Sequence, residues 1–175
     1  MKTVGILMFD DAEVLDFRGP FEVFSVAGRP GEGDPDPEVF QVLTVAELDV
    51  LLVPGGMGTR KQRLNGALID WIRERDRQTE ITASVCTGAF LLAEAGLLNG
   101  LRATTHWASV EWMRQQYPAV EMVSDVRFVD EGHVVTSAGI SAGIDMSLHL
   151  VERLCGTETA AWTARCMEYD WRVRA

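Results

Sequence analysis

Cysteine is scarce: only Cys86, Cys155 and Cys166 occur in 175 residues. An odd number without paired spacing excludes a disulfide framework and suits a reducing compartment. Histidine is equally rare, and His106, His133 and His149 form no zinc-ligand spacing with those cysteines, so no structural metal is expected. Basic charge is in deficit, with 16 Lys and Arg against 26 Asp and Glu and a formal net charge of −10. That balance argues against nucleic acid or an anionic membrane surface as a partner, since either selects a basic face. No apolar run reaches the length of a bilayer span, and the N-terminus opens on a strand pattern rather than a signal peptide, so the expected location is cytoplasmic. No internal repeat appears.

What is present is an ordinary globular composition, 47% hydrophobic, read as one domain over residues 1–175 with enough chain for a sizeable core. Thr3 to Phe9 is nearly continuous apolar sequence, the mark of a strand buried on both faces. A helix follows from Val14 to Phe24, with Phe17, Phe21 and Phe24 at helical spacing and Pro20 read as part of a first turn. Gly28 to Pro37 is a loop by composition, and Val39 to Val45 and Asp49 to Val53 read as strands. Only Ala46, Glu47 and Leu48 separate those two strands. That is too few residues for a parallel crossover and holds no hairpin turn residue, so further residues are expected between Val45 and Leu48.

Downstream, Leu64 to Gln78 is an amphipathic helix, Ile81 to Val85 a β-branched strand, and Ala89 to Leu98 an Ala- and Leu-rich buried helix. Ala103 to Thr105 reads as a short strand and Ala108 to Gln116 as a helix. Val126 to Val129 and His133 to Ser137 flank Asp130-Glu131-Gly132 as a hairpin, then come a helix through Arg153 and a last one from Thr157 to Tyr169. Strands alternating with helices specify an α/β fold, a three-layer sandwich with a mainly parallel sheet.

The chemistry centres on Ser84-Val85-Cys86-Thr87-Gly88. A nucleophile between a strand and a helix, with small residues two before and two after, is the nucleophile-elbow pattern. The turn aims backbone N–H groups and a helix N-terminus at the sulfur, which favours thiolate over thiol. The competing reading of Cys86 is a small inert core residue. In a parallel sheet the strand-to-helix turns share the carboxyl edge, so Asp16, Gly55-Gly56, Cys86 and the Ala138-Gly139-Ile140 turn are expected on one rim. Asp16 has an alternative role as a helix N-cap. Near a thiolate its carboxyl group is pushed toward the protonated form, in which it can donate to the sulfur. The N–H groups of Gly56 and Thr87 form a candidate anion site.

Five segments carry a resemblance: Val14-Leu15-Asp16-Phe17-Arg18-Gly19-Pro20, Val53-Pro54-Gly55-Gly56, Ser84-Val85-Cys86-Thr87-Gly88, Arg102-Ala103-Thr104-Thr105-His106-Trp107 and Ala142-Gly143-Ile144-Asp145. In this order they resemble the motifs of the ThiJ/PfpI superfamily, whose fold is flavodoxin-like and class I glutamine-amidotransferase-like, with the isonitrile hydratase branch nearest. The resemblance implies Cys86 as nucleophile, Asp16 as its acidic partner, Thr87 in place of the histidine of protease-like members, the Gly56 and Thr87 amides as an oxyanion site, and Ile140 and His106 beside the pocket. His106 has the equally open role of capping the next helix. The implied reaction is hydration of an isonitrile to an N-formamide through a Cys86 thioimidate, with no metal or organic cofactor. The implied partners are a small-molecule substrate and a second copy of the chain. Alternatives within the same resemblance are a glyoxalase-type hydration of methylglyoxal, an oxidation sensor, and a ligand-sensing domain like those of AraC-type regulators.

Overall fold

The computed structural model describes residues 2–28, 40–42 and 48–171. The elements run in the order β1 (Lys2–Ile6), α1 (Val14–Val26), β2 (Phe40–Val42), β3 (Val50–Val53), α2 (Thr59–Gln62), α3 (Gly66–Asp76), β4 (Ile81–Val85), a 3₁₀ turn (Cys86–Gly88) and α4 (Ala89–Glu94). They continue through β5 (Arg102–Ala103), a 3₁₀ turn (Trp107–Ser109), α5 (Val110–Gln116), β6 (Glu121–Met122), β7 (Phe128–Asp130), β8 (Val134–Ser137), α6 (Ala142–Cys155) and α7 (Thr157–Cys166).

The main sheet runs β2-β1-β3-β4-β8-β7. All neighbours pair parallel except β7, which returns antiparallel beside β8 as the hairpin pattern predicts. Side-chain alternation divides its core into two faces. Val50, Leu52, Ile81, Ala83 and Val85 pack with Val23, Phe24, Met146 and Leu150 of α1 and α6. Leu51 and Val53 face the other way, onto Ile72, Leu91, Leu92 and Met113 of α3, α4 and α5. The chain is therefore a mainly parallel sheet with helices on both sides, as expected. No helix among the described residues is long and apolar enough to cross a membrane.

Several boundaries differ from the sequence reading. β1 ends at Ile6 rather than Phe9, although the Leu7 N–H still donates to Leu52 O at 2.9 Å. α4 ends at Glu94, four residues short of the expected Leu98, because the chain turns at Gly96, whose φ is +77°. Pro20 lies seven residues into α1 rather than in its first turn. With no N–H, it leaves the Asp16 carbonyl without its helical donor. Thr104 and Thr105 are not strand, since their polar atoms are used elsewhere: Thr104 N–H donates to Thr136 Oγ1 at 2.9 Å, and Thr105 Oγ1 donates to Cys86 O at 2.8 Å. β5 instead pairs with β6 in a separate parallel ladder. The last helix stops at Cys166 rather than Tyr169.

β2 and β3 both run parallel to β1, on opposite sides of it, so the short link between them is not a hairpin. Residues 43–47, where further chain was expected, and most of the 28–37 loop lie outside the described residues.

Candidate active site

β4 is the buried strand between β3 and β8, and its end delivers Cys86 to the middle of the carboxyl edge. Cys86 has φ +56°, the left-handed conformation the elbow requires and one that costs a non-glycine residue about 1–2 kcal/mol. Surrounding bonds hold it there. The Cys86 N–H donates to Ala138 O at 3.3 Å, and the Thr105 hydroxyl holds its carbonyl. Gly88 packs against the end of β3, where a Cβ would run into Val53 O.

Asp16 sits in the first turn of α1, but the N-cap is Glu13, so the capping role does not apply. Its fully buried carboxyl group turns into the site. Oδ2 accepts from the Gly55 N–H at 3.1 Å, whereas Oδ1 has no well-formed hydrogen bond among the described residues. Burial is the main influence and pushes the carboxyl group up to about 6, against the favourable pull of the Cys86 thiol, the Gly55 N–H and the Ile140 N–H.

Thiolate character is where the sequence reading needs correction. The N–H and hydroxyl of Thr87 do favour the Cys86 thiolate, as the elbow geometry demands. Burial first, and then the negative charge of Asp16, outweigh them and push the thiol up to about 12. Both groups are thus pushed toward their neutral forms, and because they interact directly they titrate as a pair.

The expected oxyanion pair also changes. Gly56 has φ +121°, and its N–H donates to Thr87 Oγ1 at 3.1 Å instead of standing open. Thr59, which the sequence reading missed, completes this cluster: its buried hydroxyl lies 2.8 Å from Gly56 O and 3.0 Å from Thr87 Oγ1. The only sequence signal for it was a Thr three residues after Gly56, the spacing of a side-chain-to-backbone turn. Ile140 is placed as expected in the loop beside the pair. Its φ is +56°, an outlier for a β-branched residue, and its N–H faces Asp16. His106 takes its capping role: Nδ1 accepts from the Ala108 N–H at 3.3 Å and the ring rests on Gly139, with no hydrogen bond to Cys86 or Asp16.

Gly55 is the crossing point of the site. A Cβ there would lie 2.6 Å from Asp16 Oδ2, 2.7 Å from Thr87 N and 2.8 Å from Cys86 Cβ. Two of those three neighbours are backbone or backbone-fixed, so they cannot yield cheaply. Gly55→Ala is therefore expected to lower the melting temperature by about 5 °C or more. Gly66→Ala, at a helix start with open space around it, is the control and should be neutral or stabilising. Equal melting of both variants in a thermal scan would contradict the close approach.

The sequence profile of the DJ-1/PfpI family matches residues 35–153. The isonitrile hydratase of Pseudomonas putida is 33% identical over 183 aligned positions, which cover 95% of this chain and 78% of the relative. The HTH-type transcriptional regulator CdhR of Pseudomonas aeruginosa is 36% identical over 112 positions, covering 64% of this chain and 33% of the regulator. Among solved structures, a ThiJ/PfpI family protein from Pseudomonas syringae has the same fold, with a TM-score of 0.83 at 24% identity over 99% of this chain and 77% of that one. With a family profile spanning more than half of the sequence and a relative aligned across nearly all of it, the chain belongs to the DJ-1/PfpI family.

Proposed function

We propose that the protein adds water to isonitriles, releasing N-substituted formamides, with Cys86 as nucleophile and Asp16 as the proton carrier. The observation that carries this reading is the buried Asp16 carboxyl group set against the buried Cys86 side chain, both converging on Gly55. An isonitrile carbon must gain a nucleophile and a proton at the same atom, and this pair offers both. Asp16 takes the Cys86 proton as sulfur attacks and passes it to that carbon, giving a thioimidate, R–N=CH–S. The freed carboxylate then deprotonates water, whose oxygen adds to the same carbon. The nitrogen is protonated, the C–S bond breaks, sulfur regains a proton and R–NH–CHO leaves. Similarity to the Pseudomonas putida isonitrile hydratase supports this assignment.

The test is formation of the formyl product, followed by proton NMR, from a panel of alkyl and aryl isonitriles. Absence of product across the panel overturns the reading. With turnover in hand, kcat/KM is expected to rise as pH passes about 6 and then to stay level. Below that value Asp16 is protonated and cannot accept the thiol proton. A second rise near pH 9 is not expected, because the thiol holds its proton to about 12. Such a rise would show an independently titrating cysteine.

Similarity to the CdhR regulator favours one second reading, a domain that binds a small molecule without turning it over. Binding of an isonitrile or formamide with no product in the same assay would select it.

A further inference from the structure

Thr59 takes no part in the proton transfers between Cys86 and Asp16, yet its side chain is wholly buried and bonded to the residue that follows the sulfur. It opens α2, directly after the Gly55-Gly56-Met57-Gly58 turn, and is held from two sides. A Cβ at Gly58 would run into Asp10 O, so the turn lies tight on the loop after β1. On the other side the Arg63 N–H donates to Thr59 O at 2.9 Å, and the Arg63 guanidinium pairs with Glu94 of α4 at 2.9 Å. The start of α2 is thereby tied to the helix that follows the elbow.

Three oxygens meet at this point with two hydroxyl protons among them. Thr59 Oγ1 lies 2.8 Å from Gly56 O and 3.0 Å from Thr87 Oγ1, and Thr87 Oγ1 lies 3.1 Å from the same Gly56 O. The Gly56 N–H donates to Thr87 Oγ1 at 3.1 Å, and the Thr59 N–H reaches Gly56 O at 3.3 Å. Two proton arrangements satisfy the triangle. In one, Thr59 donates to Thr87 Oγ1 and Thr87 donates to Gly56 O, which leaves the sulfur without a hydroxyl donor. In the other, Thr59 donates to Gly56 O over the shorter distance, and the Thr87 proton is released to the Cys86 sulfur, whose thiolate that hydroxyl favours. Turning Thr87 to the sulfur is cheap only while another hydroxyl fills the second lone pair of the Gly56 carbonyl.

We propose that Thr59 is a positioning residue: by taking over the Gly56 carbonyl, it turns the Thr87 hydroxyl proton toward Cys86 as negative charge gathers on the sulfur. That charge develops when the thiol proton passes to Asp16, and again when the C–S bond breaks and its electron pair returns to sulfur. Thr59 touches no substrate and acts through Thr87 alone. The effect on turnover rests on the hydratase reading, whereas the effect on the thiol does not.

Thr59→Val keeps the side chain's shape and removes its proton, so the Thr87 hydroxyl stays on Gly56 O. With one hydrogen bond to a charged group lost, kcat on isonitriles is expected to fall about tenfold with KM changed by less than about twofold. Thr59→Ser retains the hydroxyl and should restore both constants to within about twofold of wild type. The readout that needs no turnover is ultraviolet titration of the Cys86 thiolate in an Asp16→Asn background, where the carboxylate charge no longer holds the thiol proton, with the matching Cys86→Ala protein as blank. There Thr59→Val should reduce the thiolate fraction about tenfold at a given pH, and Thr59→Ser should leave it unchanged. Thr87→Val should act like Thr59→Val, and combining the two should add nothing further. An unchanged titration in Thr59→Val, a Thr59→Ser titration that moves as far, or additive effects of Thr59→Val and Thr87→Val overturns the proposal. If wild type turns over no isonitrile while Thr59→Val still suppresses the thiolate, the hydratase reading fails and the positioning role stands. Should Thr59→Val not fold, Thr59→Ala, which also lacks the hydroxyl, takes its place in both measurements.

Discussion

Cys86→Ala is expected to lower formamide production by at least about a thousandfold, because without the sulfur no covalent intermediate forms and only bound water remains to react. Folding is expected to survive. The side chain is small, and its removal leaves the Thr105 and Ala138 bonds to the Cys86 backbone in place. Alanine at φ +56° keeps the conformational cost of the elbow, whereas glycine does not. Cys86→Gly should therefore be as inactive as Cys86→Ala yet more stable by about 1 kcal/mol. Enzyme assay and denaturant titration of the two variants separate the chemical role of the residue from its backbone role. Substantial turnover by either variant removes Cys86 from the mechanism.

Asp16→Asn is expected to move three observables in different directions. Turnover falls by about a hundredfold or more, since an amide cannot take the thiol proton or activate water. The Cys86 thiol becomes more acidic than in wild type, because the carboxylate charge that helps hold its proton is gone. Thiolate absorbance in the ultraviolet against pH reads this shift. Stability at pH 8 rises. The folded carboxyl group is pushed from 3.8 up to about 6, so the native state loses stability as pH rises from 3.8 through about 6. Two units correspond to roughly 3 kcal/mol as an upper figure, or a gain of at most about 6–12 °C in melting temperature for a domain of this size. Below about pH 4 both proteins carry a neutral side chain and the advantage should vanish. A variant that melts lower than wild type at pH 8, or whose thiol becomes less acidic, contradicts the assigned electrostatics.

The architecture was legible because the strands here are short, β-branched and separated by helical periodicity. Ile81 to Val85 and the Asp130-Glu131-Gly132 hairpin turn appear where their local pattern puts them. Cys86 was legible through the small residues around it, and Asp16 through its place after the first strand. Local pattern failed where one side chain serves a distant partner. Thr104 and Thr105 read as strand by β-propensity, yet they serve Thr136 and the Cys86 carbonyl. The acidity of the sulfur was misjudged for a related reason. Helix-end geometry is visible in sequence, whereas the depth of burial and the distance to a carboxylate arise only from the folded chain. The Gly56 N–H was likewise expected to be open, and a threonine hydroxyl 31 residues away occupies it.

The reacting centre is stitched from Asp16, Gly55, Cys86, Thr105 and the Ala138–Ile140 turn, segments 19 or more residues apart along the chain. No fragment shorter than residues 16–140 contains it. During synthesis, Cys86 cannot gain its Ala138 acceptor until β8 has emerged and docked beside β4, so competence arrives only when nearly the entire topology has closed. The arrangement that sets the Asp16 carboxyl group against the Cys86 thiol is thereby kept from existing in any half-made version of the molecule.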